Sequence, residues 1–384
     1  MFLYKINSLD IHVIFSSSRK RTRFYLNRVS YSAQMVLSVL IFFILITQIP
    51  ANAVSLSRYQ GNRRCMGVTW TVTAFAESLS KAEKAITAAL DEVSRLEQVL
   101  SDYEPKSELC QLSALSPTLS PTPVSPELWE VLAQATVWRD RSHGAFDPTV
   151  GVFTDLWRKA RQTKCMPTAR QLEAARKASG PETLRLEDGH KISLLKPDMR
   201  LDLGGIGMGF AIDQGLNALK VNDIVAGMID ASGDIGVIGR PPNSAGWRVE
   251  VDALGRQPEK KCEDLPPFFI TLQDASVTTS GDAFQAVEIE GIRYSHIVDP
   301  RTGIGVVGST GVTVIAPDAT TADALATTLS VLGPQAGCEF VEQTKDCSAR
   351  FVWYEAGQIR VQTSSRWSTQ TSYPSPKEIK TGHK

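Results

Sequence analysis

Six short runs between residues 225 and 315 limit the folds open to this chain: 225–230, 247–252, 269–273, 285–290, 293–298 and 311–315. The fourth turns into the fifth at Gly291. Runs of this length, apolar or alternating and separated by turn residues, are β-strands rather than helices. The spacing adds a strand at 65–74 and a hairpin of 351–354 with 358–362, closed at Glu355-Ala356-Gly357. Helical periodicity is confined to a few segments. In 81–100 it places Ile86, Leu90, Val93, Leu96 and Leu100 on one stripe, which marks a face packed in the core. A second helix opens with Ser125 as cap and Pro126 in its first position and stops at Gly144; 168–178 predicts a third, short one. Strands mixed with few, long helices predict an α+β fold, a single domain of mixed sheets with flanking helices. There is no internal repeat. Residues 112–126, rich in Ser, Pro and Thr, predict an exposed loop, and from Ser364 the chain is polar and aperiodic, a flexible tail. The expected division is 1–53, 54–363 and 364–384.

A chain of 384 residues with 42% apolar residues can bury one large core or two modest ones, which excludes a disordered or fibrous protein. The formal net charge of zero hides an asymmetry. Residues 1–53 hold Lys5, Arg19, Lys20, Arg21, Arg23 and Arg28 against Asp10 alone, so the remainder carries 35 basic and 40 acidic residues, a net of −5. Such a surface has no general attraction for nucleic acid or anionic lipid, and any phosphate must be held in a local pocket. The same N-terminal stretch reads as a secretory signal: basic from Arg19 to Arg28, apolar over 36–46, then Ala51-Asn52-Ala53 as a cleavage site. The long basic leader leaves an uncleaved inner-membrane anchor as the other reading. An exported, periplasmic chain can pair cysteines, and it has six (Cys65, Cys110, Cys165, Cys262, Cys338 and Cys347), without zinc spacing; Cys338 and Cys347 are close enough to form a small loop.

Four segments carry chemistry. Asp202-Leu203-Gly204-Gly205-Ile206-Gly207-Met208-Gly209 sets four glycines in six residues ahead of a helical pattern. Such a loop either lets backbone N–H groups approach a phosphate or permits tight packing of the helix. It is neither G-x-G-x-x-G nor a Walker loop. Asp323 and Thr327 stand four apart in 321–331, which reads as a helix. They share one face as oxygen ligands for Mg²⁺ or Ca²⁺, or else are an acid near a helix start and a threonine bonded back to its own helix. Thr278-Thr279-Ser280-Gly281-Asp282 orients a substrate or makes a turn. His296, in Tyr294-Ser295-His296-Ile297-Val298-Asp299-Pro300-Arg301-Thr302-Gly303, is structural or catalytic.

Together these segments resemble the ApbE-type FAD:protein FMN transferase family. Further matching stretches are Met66-Gly67-Val68-Thr69, Ser101-Asp102-Tyr103 with Ser107-Glu108-Leu109, Phe146-Asp147-Pro148-Thr149-Val150-Gly151, Ser232-Gly233-Asp234-Ile235 and Ala322-Asp323-Ala324-Leu325-Ala326-Thr327. The resemblance implies an α+β domain that binds FAD as substrate, with contacts from Met66, Tyr103, Ala145, Phe146, Asp147, Asp202, Met208 and Ile297. It implies a Mg²⁺ site made of the Gly205 backbone oxygen, Asp323 and Thr327. Ser280, Asp282, His296 and Arg301 line the same pocket in that reading, with Asp282 or His296 taking a hydroxyl proton. The implied reaction moves the FMN half of FAD onto a threonine of an exported or membrane-bound redox subunit and releases AMP. One residue departs from the family pattern: Met208 stands where the Gly-Gly-Ile-x-Lys-Gly segment usually has lysine. Two alternatives follow, an FAD pyrophosphatase that uses water as acceptor and an exported FAD-binding protein without turnover.

Overall fold

The computed structural model describes residues 55–251, 268–281, 286–308, 310–355 and 358–367. The leader 1–53, Cys262, Asp282, Ala356, Gly357 and most of the tail lie outside them. The strands are β1 (Ser57–Cys65), β2 (Val68–Ala76), β3 (Thr122–Pro123), β4 (Leu184–Glu187), β5 (Lys191–Leu194), β6 (Gly227–Ala231), β7 (Asp234–Ile238) and β8 (Trp247–Val251). They continue as β9 (Phe268–Leu272), β10 (Ala275–Gly281), β11 (Ala286–Ile289), β12 (Ile292–Asp299), β13 (Ile304–Val307), β14 (Thr310–Ala316), β15 (Ser348–Glu355) and β16 (Gln358–Thr363). The helices are α1 (Leu79–Leu100), α2 (Glu108–Ala114), α3 (Pro126–Arg141), α4 (Gly151–Thr163), α5 (Ala169–Lys177), α6 (Gly207–Val221) and α7 (Ala319–Glu342). The expected α+β class is what the chain adopts.

The frame is an antiparallel eight-stranded sheet, in the order β1-β2-β6-β7-β10-β14-β15-β16. Alternation along its strands feeds two cores. From β2, Trp70, Val72 and Ala74 join the large core with Leu96 of α1, Phe210 of α6 and Leu325 of α7. On β14, Val312 and Val314 belong to that core, whereas Ile315 belongs to a second one with Trp247, Ile270 and Trp367, built on the β8–β9 hairpin. A third cluster places Phe153 and Trp157 of α4 against Tyr294 and Val298 of β12, in the small sheet β11-β12-β13. The stripe expected on α1 is buried throughout, and Ser78 caps that helix by accepting Lys81 N–H at 3.3 Å. Ser125 and Pro126 open α3 as expected.

Several boundaries move. The expected strand 65–74 is instead two strands, joined at Met66 and Gly67, whose φ values are +48° and +78°. Methionine in the left-handed region is uncommon, so sequence pattern gives little warning of this turn. The expected loop 112–126 begins inside α2 and contains β3. Ser364 and Trp367, the first described residues of the expected tail to be packed, are buried. α7 is broken at Gly333, where φ is +75°, just before Pro334. Cys65, Cys110, Cys165, Cys338 and Cys347 are all free thiols, so no 338–347 loop closes. Among the described residues no helix is long and apolar enough to cross a membrane.

Candidate active site

The first turns of α6 and α7 meet, and each is held by a carboxylate from the other helix. Asp213 of α6 accepts the Ala319 and Thr320 backbone N–H groups at 2.9 and 2.8 Å. In return Asp323 of α7 accepts the Gly209 N–H at 2.9 Å. A helix start leaves such donors unsatisfied, and α6 has no side-chain cap of its own, its N-cap being Ile206. The approach needs glycine at position 209, since a Cβ there would lie 2.2 Å from the Ala319 carbonyl oxygen. Gly205 is close to Thr327, whose Oγ1 would be 2.8 Å from a Cβ at position 205. The glycine-rich segment therefore packs helix on helix at Gly209, while Gly204 is exposed.

The same junction gathers oxygen donors. Thr328 and Ser330 bond back to the Ala324 and Ala326 carbonyls, at 2.7 and 2.9 Å, whereas the Thr327 hydroxyl makes no hydrogen bond among the described residues. Burial, then the nearby charge of Asp234, holds the Asp323 carboxyl well above the usual carboxylate range, against the pull of the Gly209 and Met208 N–H groups. Asp234, at the start of β7, is itself pushed up to about 7, first by burial. Two carboxylates that burial and mutual repulsion make costly to ionise, beside an unbonded hydroxyl and a close-packed glycine backbone, form the environment that a hard divalent cation relieves. The residues fit such an ion. A separate cleft of about 460 Å³ beside the α7 N-terminus, lined among others by Asp213, Lys220 and Asp318, is no anion seat, because Asp213 and Asp318 already satisfy that helix's first N–H groups.

Asp202 joins this junction to a second group of side chains. Its Oδ1 accepts Gly204 N–H at 2.8 Å, and its Oδ2 accepts the Thr154 hydroxyl at 2.8 Å. Its own N–H donates to the Pro148 carbonyl at 2.9 Å, which ties the glycine-rich segment to the turn ahead of α4. Arg158 of α4 pairs with Asp102, lies 3.6 Å from Asp202 and 3.1 Å from Asp155, and sets its guanidinium carbon 4.0 Å from the centre of the Tyr103 ring. Tyr103 is 67% exposed, so its other face is open to a planar ligand. Burial, then Asp202, pushes the Asp102 carboxyl up to about 6, against the pull of Arg158.

The remaining expected residues are placed as follows. Ala145, Phe146 and Asp147 are buried; Phe146 belongs to the large core, and Asp147 Oδ1 accepts both the Thr149 N–H and its hydroxyl, at 2.8 and 2.7 Å. His296 and Ile297 are half-buried on an irregularity in β12, where pairing with β13 slips between Tyr294 and Val298. Such bulges re-aim side chains. Beyond it Asp299 grips Arg301 through two bonds of 2.9 Å, and Trp157 donates to the Gly303 carbonyl at 2.9 Å, which docks the turn on α4. A Cβ at Gly144 would touch Arg301, so the 144–147 and 299–303 turns are neighbours. Met66 is anchored by its N–H to Glu97 at 2.6 Å, one turn of helix before Ser101. The half-buried Met208 side chain packs against the large core. Ser280 is half-buried near the end of β10, and Asp282 lies outside the described residues. Sequence reasoning missed Arg158 and Asp213 and gave Asp234 no role; the 3,4-spaced Phe153, Trp157 and Ala160 were the available signal for α4.

Comparison with known proteins fits this arrangement. The ApbE family profile matches residues 66–351. An FAD:protein FMN transferase of Treponema pallidum (strain Nichols) is 30% identical over 283 residues, which cover 70% of this chain and 78% of that one. Among solved structures, the flavin transferase ApbE from Vibrio cholerae superposes with a TM-score of 0.73 at 26% identity, covering 82% of this chain and 99% of that one. The Pseudomonas stutzeri flavinyl transferase ApbE in its apo form gives 0.72 at 27% identity, with 83% and 98% covered. Sequence match and shared architecture agree, and the chain belongs to the ApbE family.

Proposed function

We propose that this protein transfers the FMN half of FAD to a threonine hydroxyl of an acceptor protein and releases AMP. The observation that carries the reading is the α6–α7 junction, where Gly205, the buried Asp323 and the unbonded Thr327 hydroxyl converge, tied through Asp202 to the group that holds Tyr103. In this reading the Gly205 backbone oxygen, Asp323 and Thr327 hold Mg²⁺, which supplies neutralisation of charge on the phosphate oxygens. Tyr103 faces the flavin ring, Met66, Asp202, Met208 and Ile297 border the ligand, and the 145–147 turn walls the pocket.

The threonine oxygen forms a bond to the FMN-side phosphorus, and the bond from that phosphorus to the bridging oxygen breaks, so that oxygen leaves with AMP. The hydroxyl proton passes to Asp282 or His296. Little further chemistry is asked of the protein beyond alignment. The leader 1–53 supports export to the periplasm, with acceptors among exported or membrane-bound redox subunits. Met208, in place of a family lysine, favours one second reading, an FAD-binding protein without turnover.

Intact mass spectrometry of an acceptor domain incubated with the protein, FAD and Mg²⁺ tests these readings. Transfer raises the acceptor mass by one FMN, releases AMP and is lost in Asp323→Ala. Free FMN with AMP and an unlabelled acceptor would replace it with FAD hydrolysis. Intact bound FAD would replace it with storage.

A further inference from the structure

We infer that Arg158 is a positioning residue of the flavin site, holding Tyr103 and Asp202 in fixed relation through its stack on the one and its charge contact with the other. The inference rests on the reading of this site as an FAD site. Asp102 and Tyr103 follow α1, Asp202 precedes α6, and these stretches are far apart in the chain. Arg158 lies between them with a side chain only 22% exposed. Its guanidinium pairs with Asp102, reaches Asp202 at 3.6 Å and Asp155 at 3.1 Å, and lies 4.0 Å from the centre of the Tyr103 ring. A planar cation on an aromatic face, with its edges engaged by carboxylates, fixes the tilt of that ring.

The geometry has two consequences for a ligand. Arg158 covers one face of Tyr103, so a flavin can stack only on the other, and ring and cation act as one platform. Asp202, drawn toward the same cation, holds Gly204 through its other oxygen at 2.8 Å and so sets the height of the glycine-rich segment relative to that platform. Lysine could keep the charge at position 158 but not the flat contact or the forked donors.

The test compares FAD binding, by quenching of flavin fluorescence, and the KM and kcat of flavin transfer in wild type, Arg158→Lys, Tyr103→Leu and the double variant. Arg158→Lys retains the charge and should fold; thermal melting checks this. Loss of an aligned cation–aromatic contact predicts a rise of about tenfold in both the Kd and KM for FAD with kcat little changed. In the Tyr103→Leu background the same substitution should add less than about twofold, because its route through the ring is gone. An Arg158→Lys effect that is absent, or equally large with and without Tyr103, would overturn the inference while leaving the FAD site standing. Failure of the wild type to bind FAD would overturn both.

Discussion

Replacing Gly209 with alanine should damage this protein through packing before it damages any ligand contact. A Cβ at position 209 would lie 2.2 Å from the Ala319 carbonyl oxygen and 2.8 Å from Asp323 Cβ, against backbone that cannot swing away. The α6 and α7 turns must therefore separate. Overpacking of this kind costs about 2 kcal/mol. Separation also stretches the 2.9 Å bond from Gly209 N–H to Asp323, and leaving that buried donor unsatisfied costs about 2 kcal/mol. Alanine returns about 1 kcal/mol of helix propensity, so the net is a loss of about 3 kcal/mol. For a domain of this size that lowers the melting temperature by about 6 °C. Gly204 is the control. It is exposed, and a Cβ there meets only Asp202 Oδ1 at 3.0 Å, so Gly204→Ala should melt within about 2 °C of wild type. Differential scanning calorimetry on the three proteins decides. A Gly209→Ala protein that melts with wild type would refute the claim that position 209 exists for helix contact.

Three other outcomes are expected. Asp102 carries a folded-state value raised to about 6, so its contribution to stability is full below about pH 4 and is lost as pH rises to about 6; melts from pH 4 to 7 should show a decline of at most about 3 kcal/mol that Asp102→Asn abolishes. Trp367→Ala empties a site that is 1% exposed in the second core and should cost about 3 kcal/mol in urea unfolding, where a free tail residue would cost nothing. Met208→Lys adds a cation beside the glycine-rich segment and should tighten FAD binding by about 1 kcal/mol, measured by titration calorimetry, if phosphate lies there; unchanged or weaker affinity would place the phosphates elsewhere.

Sequence periodicity was a good guide where packing is local and a poor one where it is not. The α1 stripe, the separate strands β8 and β9 and the β11–β12 hairpin are legible because each repeats its own burial pattern within a few residues, whereas the pairing of β8 with β9 is not. β7 escaped because it contains Gly236, a poor strand former. Glycine lets α6 pack closely there, for a Cβ would lie 2.6 Å from Ile212 Cγ2 and 2.8 Å from Leu216 Cδ1, and those side chains would have to shift. α4 escaped because Val150, at its start, provides no side-chain cap. In the site, Asp323 and Thr327 were visible as a helical pair. Their surroundings were not, since Asp213, Asp234 and Arg158 matter through partners distant in the chain.

The mutual clasp between Asp213 and the α7 start, and between Asp323 and the α6 start, separates the position of the oxygen donors from the route the chain takes between them. The two helices cannot slide without breaking both sets of bonds. Connections elsewhere in the molecule are thus free to lengthen or shorten. A short insertion in the 241–246 loop, between β7 and β8, should leave the same junction intact, because its register is written in the helix crossing rather than in the length of the connections.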